Sequence, residues 1–264
     1  MTRFLRTSLF ALLLATGASA NAAGLPDTGQ DTCYDDTVAD GVAASNAASI
    51  ARDGGTHPRQ DCRYGRDAAA AAGVLTKTGA GAKGFDYTKI ANNGATLAAG
   101  AVLGVAATDW ACTQDNITGL TWEVKTPSGG GGLRDSAHTY TWYSSNVATN
   151  GGIAGTANGG ACSGGTGCDT EKFVADVNTA ALCTYTDWRM PTQRELLTLV
   201  YADGSSPSID PTYFPNTQAS VFWSGSSFVP IPSYAWVVLF NDGSDYADVK
   251  SVNYYVRLVR GGQF

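Results

Sequence analysis

Charge is scarce in this chain. Asp, Glu, Lys and Arg make up 15% of its 264 residues, against about 25% in an average soluble domain. The surface must therefore be built from Gly, Ser, Thr, Asn, Ala and Tyr, a composition that suits loop-rich, β-containing extracellular folds. The net charge is −6, so the cationic surface that grips a nucleic-acid backbone or an anionic membrane is missing. Only 2 histidines are present, which leaves little for metal or acid–base chemistry. Long apolar runs are absent too, none approaching the ~18 residues of a membrane span. What is plentiful is glycine, with 32 residues, beside a hydrophobic fraction of 44%. That is too apolar for a disordered chain and too Gly-rich for a helical bundle.

Arg3 and Arg6 precede an apolar run over residues 9–15, followed by the small residues Ala18, Ser19, Ala20, Asn21 and Ala22. This order predicts a secretory signal peptide over residues 1–22, with the mature protein secreted, at the cell surface or in a periplasm. No cysteine sits at the expected cleavage region, which argues against an acyl anchor. All 6 cysteines lie beyond it, and an even number entering an oxidising compartment predicts three disulfides. Sequence alone does not choose among the possible pairings; the arrangement carried forward is Cys33–Cys62, Cys112–Cys183 and Cys162–Cys168. A zinc site is disfavoured, because no paired C-x-x-C spacing exists.

Residues 23–108 are rich in Ala and Gly and poor in large apolar side chains, which predicts an irregular N-terminal region with short helices at 42–50 and 68–74. All 6 tryptophans, Trp110, Trp122, Trp142, Trp188, Trp223 and Trp236, fall in residues 109–264, so the main core belongs there. Leu120-Thr121-Trp122-Glu123-Val124 alternates as a half-buried strand does, after a turn at Thr118-Gly119. Asp169 is placed to cap a helix over 170–180 whose Phe173, Val174 and Val177 share a face. Thr192-Gln193-Arg194-Glu195 spells a capping box ahead of Leu196, Leu197, Leu199 and Val200. Runs at 221–224, 234–240 and 254–260 read as strands, with Asn241-Asp242-Gly243 as the turn between the last two. The fold class is α+β: two helices and an antiparallel sheet, stabilised by disulfides.

The segments ITGLTWEVKT from Ile117, GLRDSAHTYTWY from Gly132, DWRMPTQREL from Asp187, FWSGSS from Phe222, YAWVVLFNDG from Tyr234 and YVRLVRGGQ from Tyr255 occur in this order. Together they resemble the Lcl C-terminal-domain family, named after a collagen-like bacterial adhesin. The resemblance implies a C-type-lectin-like fold related to that of the formylglycine-generating enzyme, and a role in surface binding or adhesion. Trp188, Trp223 and Trp236 would form its aromatic core. Arg189, Arg257 and Arg260 are charges inside apolar segments, where an unpaired charge would cost several kcal/mol, so they are expected to be scaffold, with Asp187 and Glu195 as partners.

Alternation in the 234–240 strand turns Trp236, Val238 and Phe240 toward the core and leaves Val237 and Leu239 opposite. Beside Phe228, Ile231, Tyr234 and Tyr246 they would make a contact patch, unless a loop or the N-terminal region covers them. The tail also looks like the variable region of proteins diversified by retroelements. In these, template adenines are randomised between framework residues. Between Ser224 and Tyr255, only Trp236 and Lys250 could not arise from randomised Asn codons.

The expected ligand-binding set is Phe228, Ile231, Tyr234, Val237, Leu239, Asp242, Asp245, Tyr246, Asp248, Ser251 and Tyr254, presented to a protein or glycan at a cell or host surface. No catalytic residue and no cofactor is expected. His57 and His138 lie in no recognisable nucleophile motif, and Glu123, Asp135, Glu171 and Glu195 are unremarkable as a glycosidase set. Asp242, Asp245 and Asp248 lie in one loop region and make calcium the alternative, but their spacing is not that of an EF-hand and solvated turn acids explain them better. The alternatives are an envelope or appendage component, marked by a homo-oligomer that buries the tail, and a hydrolase on the same fold.

Overall fold

The computed structural model describes residues 27–30, 65–202 and 206–262. The expected helix at 42–50 and the pair Cys33–Cys62 lie outside the described residues. The elements are α1 (Arg66–Ala71), β1 (Tyr87–Ala91), β2 (Thr96–Leu97), β3 (Trp110–Asp115), β4 (Thr121–Glu123), α2 (Thr170–Thr179), α3 (Gln193–Leu197), β5 (Val221–Ser227), β6 (Tyr234–Leu239), β7 (Asp245–Val249) and β8 (Val259–Arg260), with a 3₁₀ turn at Leu182–Thr184. The class is α+β, as expected. A five-stranded sheet runs β2-β1-β3-β4-β8 and a three-stranded sheet runs β5-β6-β7, with every strand pair antiparallel.

The first sheet changes the reading of the N-terminal region. β1 pairs with β3 from Tyr87 opposite Asp115 to Ala91 opposite Trp110, and Phe85 and Tyr87 are buried in the core. Residues 85–97 therefore carry two strands and pack on the rest of the fold. Composition hid this, because only Phe85, Tyr87 and Ile90 in that stretch are large apolar residues buried in the core.

β3 and β4 are joined by the turn expected at Thr118-Gly119. Asp115 accepts from the Ile117 amide (2.9 Å) and the Thr118 hydroxyl (2.6 Å), and Gly119 takes φ +74°, which favours glycine. β4 is buried along its whole length instead of half-buried. β8 closes the sheet beside it, placing Val259 opposite Trp122.

Both helix starts form as their sequences dictate. The Asp169 side chain accepts from the Lys172 amide, and the Thr192–Glu195 capping box is complete. α2 turns Phe173 and Val177 into the core. α3 stops at Leu197, short of Val200.

The core has two parts. Trp142, Trp188, Trp223, Phe173, Ala235 and Val237 belong to one, and Trp122, Leu196, Phe214, Phe222, Val238 and Phe240 to the other. The three-stranded sheet lies between them, so both of its faces are used. Two features of the tail were not expected. The Asn241-Asp242-Gly243 turn leads into β7, whose Asp245-Tyr246-Ala247-Asp248-Val249 has no apolar alternation. In the 254–260 run only Val259–Arg260 is a strand, while Tyr254 and Tyr255 make single bridges to Tyr140 and Phe222.

Candidate binding surface

The β5–β6 hairpin and β7 carry the surface on which the sequence placed its candidate residues. Register fixes which of them share a face: Ala235 opposes Asp248, Trp236 opposes Ala247 and Val237 opposes Tyr246. Val237 is 0% exposed, in the core with Trp223 and Trp142. It is removed from the contact surface, because the strand is covered on both sides rather than one. Leu239 is half-buried against the same cluster. Trp236, expected in the core, is instead half-buried and meets Phe228 edge-on at 5.2 Å.

The remaining candidates stay at the surface but do not form one patch. The hairpin tip presents Val229 (84% exposed) and Ile231 (45%), with Phe228 and Tyr234 half-buried behind them. Tyr246 (37% exposed), Asp248 and Tyr254 lie on the other face, where the Tyr254 hydroxyl donates to Asp248 at 2.5 Å. Burial first, and then this hydrogen bond, push the Tyr254 phenol well above its ordinary value. Ser251 is exposed. Exposed Val147 and Ile153 in the 144–155 loop add apolar area that the sequence reading missed. That loop is tied to the hairpin by the Ser227 hydroxyl, which donates to Thr149 O.

The three aspartates are engaged separately. Asp242 accepts from the Ser244 amide and hydroxyl, Asp245 from the Gln193 side chain, and Asp248 from Tyr254. Among the described residues no group of three or more metal-ligating side chains comes together.

The arginines are held as scaffold. Arg189 lays its guanidinium on Glu195 through two hydrogen bonds of 2.7 and 2.6 Å, and Arg260 clasps Asp187 at 2.7 and 3.0 Å while stacking on Tyr185. Arg257 is fully buried and donates to Glu123 O and the Thr217 hydroxyl, partners that lie far away in sequence. Burial pushes against ionisation of Glu195, but the bonds from Arg189 and Thr192 outweigh it and hold the carboxyl below its ordinary 4.5. The unfolded chain thus takes up this proton first as pH falls. The stability from this pair is complete above the ordinary glutamate value and is lost as pH drops through the folded one. Glu195→Gln is expected to flatten the acid limb of a pH–stability profile, and an unchanged limb would contradict the assignment.

His138 meets Ser163, with Nε2 3.0 Å from the hydroxyl oxygen. The Ser163 amide donates to the same nitrogen at 3.1 Å, and the Ser163 hydroxyl donates to Gly131 O. The Asp135 carboxylate accepts from the amides of Gly131 and Ala137. These bonds fasten the 160s loop to the Gly-rich 129–132 segment. Two of the expected disulfides are present, Cys112–Cys183 and Cys162–Cys168, which fits an oxidising extracellular or periplasmic location. Among the described residues no helix is long and apolar enough to cross a membrane.

The family model of the Lcl C-terminal domain matches residues 111–260. This chain belongs to the Lcl C-terminal domain family. The match spans β3 to β8 and leaves out β1 and β2, which here extend the Lcl domain's sheet. No curated protein and no solved structure matches the chain.

Proposed function

We propose that this Lcl-domain protein is a secreted or surface-exposed binding protein that presents the tail between Phe228 and Tyr254 to a protein or glycan partner. The observation that carries the reading is the contrast within one hairpin: Val229 and Ile231 stand exposed at its tip, while Trp223, Ala235 and Val237 lock its base into the core. Apolar side chains on a rigid base supply contact area at low entropic cost. The C-type-lectin-like fold implied by the family resemblance is used in this way elsewhere. We read the protein as a binder rather than an enzyme and as needing no cofactor. In support, the Ser163 amide already occupies the His138 nitrogen that a general base would need.

The reading extends to a diversified tail. Trp236 and Lys250, the two residues that randomised Asn codons could not supply, both have framework positions: one braces Phe228 and the other is buried. A reverse-transcriptase gene and a near-copy of this tail, differing at template adenines, are expected in the flanking DNA. Substitutions unrelated to adenines would contradict diversification.

Binding itself is tested by selecting ligands from a displayed-peptide library and a glycan array with the purified protein. Selected ligands are expected to lose affinity for a variant carrying Val229→Ser, Ile231→Ser and Tyr246→Ser. Ligands that bind this variant equally well would place the site elsewhere. A stable homo-oligomer that buries the tail would instead favour an envelope or appendage component.

A further inference from the structure

Lys250 is 2% exposed, and among the described residues none of its side-chain contacts is with an acid. Its Nζ donates to Asn150 O at 2.8 Å and Ile153 O at 2.7 Å, lies 3.5 Å from the Ser227 hydroxyl, and sits 4.0 Å from the centre of the Trp142 ring. The backbone at Lys250 is fixed independently: its amide donates to Ser233 O and its carbonyl accepts from the Trp142 amide. The amine is therefore delivered from a rigid base to two carbonyls of the 144–155 loop. The elements packed around it are that loop, the end of β5, the extended segment 139–143 and the turn at Ser233. They hold no Asp, Glu, His, Lys or Arg, and their titratable groups are the phenols of Tyr140, Tyr143 and Tyr234. Asp248, near the end of β7 just before Lys250, is bonded to Tyr254, and Glu171 accepts from the Ser145 amide at the other end of the loop.

We propose that Lys250 is a proton-linked bolt: docking of the 144–155 loop onto the tail buries the amine and sheds a proton, so the loop is held more tightly as pH rises above neutrality. A buried cation faced by dipoles and one aromatic ring, with no counter-charge, is disfavoured relative to a solvated one. Burial pushes the amine from 10.5 down to about 8, whereas in the undocked loop it meets water and keeps the ordinary value. Between those two values the undocked state binds more protons, and docking is favoured by raising the pH. A neutral amine still donates to both carbonyls, so the bolt keeps its hydrogen bonds. The Val147 and Ile153 flank is thereby coupled to the hairpin, whatever the tail binds.

The test is amide hydrogen exchange of the 144–155 loop in the full-length protein, normalised to intrinsic rates, at pH 7 and pH 9. Protection in the wild type is expected to rise about tenfold, while Lys250→Met shows no such rise. A flat or falling wild-type course overturns the proposal even if the variant does not fold. A parallel rise in Lys250→Met assigns the titration to another group and overturns it too.

Discussion

Glu123→Ala is expected to destabilise the protein by about 3–5 kcal/mol, a large share of the stability of an ordinary domain. Glu123 is fully buried, and Lys125, Arg134 and Arg257 are buried around it, three cations about one acid. Its Oε1 lies 2.9 Å from Lys125 Nζ, and its Oε2 accepts from the Leu258 amide at 3.1 Å. Arg134 is satisfied by the carbonyls of Ala111, Val124 and Gly104, and Arg257 by Glu123 O and Thr217, so dipoles share the work. Burial pushes Lys125 below its ordinary value against the pull of Glu123, and it pushes Arg257 down to about 10. Among the described residues, removing the one carboxylate leaves Lys125 with only the Phe173 ring at 4.4 Å. The denaturant midpoint of Glu123→Ala measures the effect. The double replacement Glu123→Leu with Lys125→Met is expected to recover part of the loss, since it removes the stranded Lys125 charge while Arg134, Arg257 and the Leu258 amide still lose their acid. A loss under 1 kcal/mol for Glu123→Ala would show that the cations are compensated elsewhere.

Opening Cys112–Cys183 is expected to cost about 4 kcal/mol, and opening Cys162–Cys168 about 2 kcal/mol. The first closes a sequence separation of 71 and the second one of 6, so the unfolded chain gains far more freedom from losing the first. The long bridge also joins β3 to the 3₁₀ turn at Leu182–Thr184, inside the main tryptophan cluster. Double Cys→Ala variants compared by thermal unfolding check both values. Equal losses would mean that native-state packing, not chain entropy, sets the contribution of each bridge.

Local signals were legible in the sequence wherever one residue sets one feature. The Asp169 cap, the Thr192–Glu195 box and the Thr118-Gly119 turn all form where their chemistry places them. Pairings that depend on distant chain were not legible. β1 was hidden because Tyr87 and Ile90 are its only large apolar residues, and its place comes from pairing with β3 and from packing near Phe214 and Tyr213. Val237 was misplaced for a related reason: a period of two reveals alternation but not whether both faces are covered. β7 owes its existence to the Gly243 turn, where φ +83° brings the chain back beside β6, and not to its own side chains. Of the surface, the hairpin residues could be read from sequence, but the 144–155 loop could not, because its attachment runs through Lys250 and Ser227 from about 80 to 100 residues away.

The central claim is that the exposed side of the tail makes contact while its buried side is scaffold. The most direct measurement pairs affinity with the thermal midpoint, using a ligand selected on the wild-type protein. The variant carrying Val229→Ser, Ile231→Ser and Tyr246→Ser is expected to lose about thirtyfold in affinity, or about 2 kcal/mol, with its midpoint unchanged. Val237→Ala is expected to lose about 2 kcal/mol of stability while its folded fraction still binds. Full affinity in the triple variant, or a fall in its midpoint matching the loss of binding, would contradict the account.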